Sequence, residues 1–177
     1  MPALSRCIAT IALAGTLASA PLAAQPRQDD SQSAEAVLAV VDRFMRAVSA
    51  KDTAAMDALR LEGALNTVES PDRNAGGMRL TRRPFQPAPG SSPARPSEYL
   101  ERYWDPVVHV RGSIAVVWTP YEFWIDGKTS HCGIDVFEMV RQDGAWRIGN
   151  VMWTVEPDAC EQLRPSDASR MRPPLER

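Results

Sequence analysis

The chain has 177 residues, with 20 Lys and Arg side chains against 22 Asp and Glu side chains, a formal net charge of −2 at neutral pH. This near balance excludes the strongly basic surface that nucleic acids and anionic membranes select, so neither is an expected partner. The length is sufficient for one domain with its own hydrophobic core.

The first 24 residues have the pattern of a secretory signal peptide. A basic start that includes Arg6 precedes an apolar run from Cys7 to Ala20, which is too short to span a bilayer, and small residues follow up to Ala24. We therefore predict that residues 1–24 are removed and that the mature protein is periplasmic or secreted, with no membrane span. The polar residues 25–33 are predicted to form a flexible leader.

Two helices are predicted at the start of the mature domain. Apolar residues recur at intervals of one, three or four positions, at Val37, Val40, Val41, Phe44, Met45 and Val48. This spacing is typical of an amphipathic helix, and Ser33 is a suitable N-cap. Asp52 or Thr53 is a suitable cap for a second, short helix that contains Met56.

The middle of the chain combines short strands with turn-forming residues. Residues 65–69 and 78–82 alternate as strands do, and the segment between them is rich in turn residues. Residues 84–96 hold five prolines in thirteen positions, which predicts a surface loop, with a lid over one end of a pocket as one interpretation. Residues 97–103 are predicted to form one or two helical turns.

From Trp104 onwards the pattern predicts an antiparallel meander. Residues 105–110, 114–125, 130–141 and 146–155 alternate with period two. The pairs Asp126-Gly127 and Asp143-Gly144 between these strands are strong signals for hairpin turns.

Hairpin turns fix the register of a meander and therefore the composition of its faces. If each turn has two residues, Glu122 lies opposite His131 and Asp135 lies opposite Met152. One face, covered by the helices, then carries the side chains that we predict to contact a ligand: Trp118, Glu122, His131, Asp135, Asn150 and Met152. The other face is also apolar, so we predict that it packs on a second copy of the chain as a homodimer.

The mature chain keeps two cysteines, Cys132 and Cys160. An even pair in an oxidising compartment favours a disulfide between them. No metal site is expected, because only His109 and His131 add nitrogen ligands and their spacing is not that of a metal centre. The sequence also has no phosphate loop or strong nucleophile motif, and no cofactor is expected.

The order of elements resembles the nuclear transport factor 2-like (SnoaL-like) superfamily over residues 34–155. The motifs Ser-His-Cys-Gly-x-Asp at 130–135 and Pro-Tyr-Glu-Phe at 120–123 are similar to an exported bacterial branch that is often labelled lumazine-binding. The resemblance implies an α+β fold in which N-terminal helices pack on a strongly curved antiparallel sheet that forms a cone-shaped pocket. The domain would then span residues 34–157 and be followed by a C-terminal tail, 158–177. Residues 161–177 are polar and contain prolines, so we predict that they are mostly disordered.

Three interpretations of the polar cluster remain open. Glu122 and His131 form a buried structural pair, or they hold the polar part of a ligand together with Asp135 and Asn150. In the third interpretation, His131 acts as acid or base in catalysis with Glu122 or Asp135. The superfamily contains isomerases, cyclases, dehydratases and noncatalytic domains, so the resemblance selects no reaction. We predict an exported domain that binds a small apolar or aromatic molecule. An isomerase or hydro-lyase is the alternative, and a protein-interaction module that uses the exposed sheet face is the second alternative.

Overall fold

The computed structural model describes residues 30–85 and 97–173. Two helices, α1 (Asp30–Ala50) and α2 (Thr53–Ala58), precede a sheet of seven strands. The strands are β1 (Arg60–Pro71), β2 (Met78–Pro84), β3 (Tyr99–Tyr103), β4 (Val107–Arg111), β5 (Ile114–Ile125), β6 (Lys128–Gln142) and β7 (Ala145–Thr154). The predicted signal peptide, most of the leader and most of the proline-rich loop lie outside the described residues.

The sheet curls without closing, and its strand order is β2-β1-β7-β6-β5-β3, with β4 also paired to β5. Strands β5, β6 and β7 form the predicted antiparallel meander. Strand β1 pairs with β7 in parallel, so the sheet is mixed and not purely antiparallel. The predicted α+β class, with N-terminal helices on a curved sheet, is confirmed. In the described part of the chain, no helix has the length and apolar character needed to cross a membrane.

Helix α1 covers the concave face of the sheet with the predicted apolar stripe. Val37, Val41 and Met45 are almost fully buried, and Phe44 packs edge-on against Phe137 of β6, with ring centroids 5.9 Å apart. The helix begins at Asp30, earlier than the predicted cap, so Ser33 is a buried residue inside it. The predicted cap of α2 is confirmed, because the Asp52 carboxylate accepts a hydrogen bond from the backbone N–H of Ala55.

Residues 99–103 form a strand, and the predicted helix there is wrong. Strand β3 pairs antiparallel with β5, with Tyr103 opposite Tyr121 and Glu101 opposite Phe123. The edge of β5 offers backbone donors and acceptors that a local helix would leave unpaired, so tertiary pairing overrides the local helical signal.

Two β-bulges shift the register of the meander. Both hairpin turns are as predicted, with Ile125 opposite Lys128 and Gln142 opposite Ala145. In β6 the pairing then skips Ser130, which places Phe123 opposite His131, and in β7 it skips Gly149. The predicted pairs Glu122–His131 and Asp135–Met152 are therefore wrong. A shift of one residue exchanges the two faces of a strand beyond the bulge.

Residues 156–173, which we name the C-terminal strap, fold against the domain, contrary to the predicted disorder. The predicted disulfide is present and joins Cys160 of the strap to Cys132 of β6, with the Cα atoms 5.1 Å apart. The indole N–H of Trp104 donates to the carbonyl of Leu163 at 2.7 Å. The strap therefore covers the outer side of β5 and β6 near their shared hairpin.

Gly133 gives a test of how closely the end of β7 approaches β6. A Cβ atom on Gly133 would overlap the carbonyl oxygen of Thr154, whereas a Cβ on Gly149 would have no atom nearer than 3.4 Å. We expect Gly133→Ala to lower the free energy of unfolding by about 2 kcal/mol or more, because backbone must move to admit the methyl group. Gly149→Ala is the control, and it should lower the free energy of unfolding clearly less than Gly133→Ala does. Equal losses in chemical denaturation would contradict this packing.

Candidate functional site

A cavity of about 400 Å³ lies between the two helices and the concave face of the sheet. Its wall is mainly apolar and aromatic, and a few polar side chains interrupt it. The lining residues are Phe44, Met45, Val48, Lys51, Thr53, Met56, Asn66, Arg83, Phe85, Tyr99, Glu101, Tyr121, Phe123, His131, Asp135, Phe137, Val151 and Trp153. A concave, mostly apolar site with few polar groups is typical of small-molecule binding.

The structure brings only two of the six predicted ligand-binding residues into this cavity. His131 and Asp135 lie in its wall. Trp118 and Met152 lie on the convex face and are exposed, and Asn150 lies on the same face, where its amide donates to Glu138 at 2.5 Å. These three side chains point away from the helices because the bulges at Ser130 and Gly149 reverse the predicted faces.

Glu122 also lies outside the cavity, although it is fully buried. It faces the C-terminal strap, where the Arg164 guanidinium donates to its carboxylate, with Nε 2.6 Å from Oε2. The hydroxyl of Thr129 donates to the same carboxylate. Glu122 is also close enough to Cys132 and Cys160 to share a metal ion, but the sulfurs are bonded to each other and the carboxylate is ion-paired. Glu122 therefore belongs to a structural ion pair and does not contact His131.

Asp135 is the unusual polar group of the cavity. Its side chain is only 4% exposed, and its Oδ2 atom has no hydrogen-bond partner among the described residues. Burial raises the pKa of Asp135 well above its usual range, and the nearby Glu101 carboxylate raises it further. A buried carboxyl of this kind keeps its proton to a higher pH than an exposed one.

Glu101 is a charged residue of the cavity wall that sequence reasoning missed. It reaches the cavity from β3, and burial raises its pKa to about 8. The sequence pattern predicts a helix over residues 97–103, which leaves the direction of this side chain undefined. The alternation of Tyr99, Glu101 and Tyr103 was a signal for a strand, and it would have placed all three side chains on one face.

His131 is neutral and held between aromatic rings. Its ring stacks on Phe123, with centroids 5.4 Å apart, and meets Tyr121 edge-on at 5.7 Å. Burial lowers the pKa of His131, so the imidazole carries no charge at neutral pH. The Tyr121 hydroxyl donates to the carbonyl of Thr154 at 2.7 Å, and burial followed by the nearby Asp135 carboxylate raises its pKa. The arrangement offers two protonatable carboxyls and one neutral imidazole inside an apolar cavity.

No family model matches this chain, and no curated protein matches it. Solved structures share its fold. A nuclear transport factor 2-like superfamily protein from Salmonella enterica has a TM-score of 0.54 at 14% identity, over 78% of this chain and 96% of that one. A protein of unknown function from Mycobacterium tuberculosis has a TM-score of 0.53 at 16% identity, and the match covers 78% of this chain and 83% of that one. A third structure is from Novosphingobium aromaticivorans and is provisionally assigned as the beta subunit of an aromatic-ring-hydroxylating dioxygenase. It has a TM-score of 0.55 at 12% identity, and the match covers 73% of this chain and 92% of that one.

The carboxyl pair gives the protein a characteristic dependence of stability on pH. A carboxyl whose pKa is higher in the folded state stabilises the fold fully below its unfolded-state pKa and loses that contribution as pH rises through the folded-state pKa. For Glu101 this window runs from 4.5 to about 8. We expect the melting temperature to fall by several degrees across that window and the fall to be smaller in Glu101→Gln.

Glu98→Gln serves as the control for this pH experiment, because Glu98 is exposed and lies outside the cavity. Its melting temperature should follow the unmodified protein at every pH. Parallel curves for Glu101→Gln and the unmodified protein in scanning calorimetry would show that Glu101 titrates as an ordinary surface carboxyl.

Proposed function

We propose that this chain, which has the nuclear transport factor 2-like fold, is an exported domain that binds a small apolar or aromatic molecule in its cavity. The observation that carries the proposal is the buried carboxyl of Asp135 in a mainly apolar wall, where its Oδ2 atom has no hydrogen-bond partner among the described residues. A buried polar atom without a partner costs about 1–3 kcal/mol, so its position is better explained by a ligand than by stability. The cavity volume falls within the range of known ligand sites.

The shape of the cavity supports a molecule with a flat or bulky apolar body. Rings of Tyr99, Tyr121, Phe123 and Trp153 line it from three strands of the sheet, and Phe44 and Phe137 lie beside them. Aromatic walls provide large contact areas and pack well against planar groups. Asp135 and His131 would then fix the orientation of the polar part of the ligand.

The proposed location is the periplasm or the exterior of the cell. Disulfides persist in oxidising compartments and are rare in the reducing cytosol, so the bond between Cys132 and Cys160 supports export. The predicted signal peptide at residues 1–24 supports the same location.

Acid–base catalysis is the second candidate function. His131 and Asp135 line one cavity, and the raised pKa of the buried carboxyl suits a proton donor or acceptor near neutral pH. An isomerase or hydro-lyase would use these two residues, and Glu122 would have no part, since it lies outside the cavity. Turnover of the bound molecule that is lost in His131→Ala would favour catalysis, whereas a change limited to affinity would favour binding alone.

Filling the cavity tests the proposed binding site. Val48 lines the cavity from the last turn of α1, and a tryptophan there would occupy part of its volume. We expect native mass spectrometry of the protein purified from its exporting host to show a bound small molecule, and Val48→Trp to lose most of it. Ala39→Trp is the matched control, because Ala39 is an exposed residue of the same helix and does not line the cavity. A bound molecule that survives Val48→Trp unchanged would place the site elsewhere.

The convex face supports the proposed homodimer, with the protein-interaction module as the alternative use of the same surface. It exposes a row of apolar side chains at Leu80, Val107, Ile114, Val116, Trp118 and Met152. Monomeric proteins rarely expose such extended apolar patches, and a symmetric dimer would bury the patch against itself. The Novosphingobium protein is assigned as a beta subunit, which supports the more general idea that a domain of this fold assembles with other chains.

A charge in the middle of this patch tests the dimer. Trp118 is 52% exposed, and Trp118→Arg would place a cation in the interface on both subunits. We expect light scattering to give a dimer for the unmodified protein and a monomer for Trp118→Arg. The control Ala36→Arg, which adds the same charge at an exposed position of α1, should remain a dimer. A monomeric unmodified protein would rule out the homodimer and favour a different protein partner.

A further inference from the structure

The two carboxyls of the cavity, Asp135 and Glu101, share one feature. In the described ranges, neither Asp135 nor Glu101 forms a salt bridge. They come from different strands, β6 and β3, they line the same cavity, and Glu101 lies close enough to raise the pKa of Asp135. Two neighbouring carboxylates without a cation repel each other, and burial strengthens this repulsion because water screens it less.

The two basic residues of the cavity wall are Lys51 and Arg83. The Lys51 ammonium donates to the carbonyl of Ser97 and lies over the ring of Tyr99, 3.9 Å from its centroid. Arg83 is exposed on the edge strand β2. The His131 imidazole is neutral, because burial lowers its pKa. Within the described ranges, the cavity wall therefore holds two acids, and neither of its two basic residues forms a salt bridge with them.

The aromatic rings beside these acids suit a positive charge. Tyr99, Tyr121 and Phe123 surround the approach to Glu101 along β3 and β5. The faces of such rings attract a cation, and Lys51 already uses the Tyr99 ring in this way. An ammonium group in the cavity would donate a hydrogen bond to Oδ2 of Asp135, which has no partner among the described residues, and its positive charge would favour the ionised forms of both acids.

We infer that the ligand of this cavity is a primary or secondary amine on an apolar, preferably aromatic body, with its ammonium held by Asp135 and Glu101. This inference rests on the proposed binding function and adds the charge of the ligand to it. A neutral ligand of the same shape would leave the acids protonated or unpaired and would bind less tightly.

Amines and alcohols with the same carbon skeleton test the effect of the ligand's charge separately from its fit to the cavity. The probes are 2-phenylethylamine with 2-phenylethanol, and 4-phenylbutylamine with 4-phenylbutanol, titrated into the mature protein by isothermal titration calorimetry. We expect each amine to bind about tenfold or more tightly than its alcohol, as a buried charge-assisted contact allows. In the double variant Asp135→Asn with Glu101→Gln this preference should shrink to about threefold or less, while the alcohols bind as before.

The outcomes separate the inference from the proposed function. Alcohols that bind as tightly as their amines, with binding abolished by Val48→Trp, would overturn the amine and leave the binding cavity standing. An amine preference that survives the double variant would overturn the role of Asp135 and Glu101. If no probe binds and Val48→Trp changes nothing, both the amine and the proposed ligand site fail. Unchanged alcohol binding in the double variant shows that the variant is folded.

Discussion

The structure depends on two β-bulges that decide which side chains face the helices. With ideal hairpins, the even-numbered residues of β5 would point into the core and would place Trp118 and Glu122 there. The extra residues Ser130 and Gly149 reverse this choice. Ala115, Val117 and Tyr121 then become the buried residues of β5, and Trp118 moves to the convex face. Each bulge leaves one residue out of the hydrogen-bonded ladder, but the resulting orientation of the strands buries a set of apolar side chains against α1.

The same choice gives the acidic residues of the meander opposite environments. Glu122 is buried under the C-terminal strap, where Arg164 and Thr129 donate to it, so its charge is fully compensated. Asp135 is buried on the concave side, where its Oδ2 atom has no partner among the described residues and the Glu101 carboxylate raises its pKa. A compensated buried charge is a structural element, whereas an uncompensated one in a cavity points to a ligand or a reaction. The contrast distinguishes Glu122, which stabilises the fold, from Asp135, which lies in the candidate site.

Local patterns were sufficient to predict much of the fold and little of the site. The stripe of α1, the cap at Asp52, both Asp-Gly turns and the cysteine pair are encoded within short segments, and the structure has all of them. Strand β3 and the strap were missed, because they depend on partners distant in sequence. Gly149 inside a strand was a weak signal for a bulge, while Ser130 carried none. Since the bulges decide the faces, four of six predicted site residues moved outside the cavity and Glu101 took their place.

The most direct test of this account is an NMR titration of the side-chain carboxyl carbons in the ligand-free mature protein. We predict that Asp135 and Glu101 titrate together, with both transitions above the usual range for exposed acids. Transitions of Asp135 and Glu101 near pH 4, independent of each other, would contradict it. The cavity would then contain two ordinary, solvated carboxylates and no specific site for a ligand.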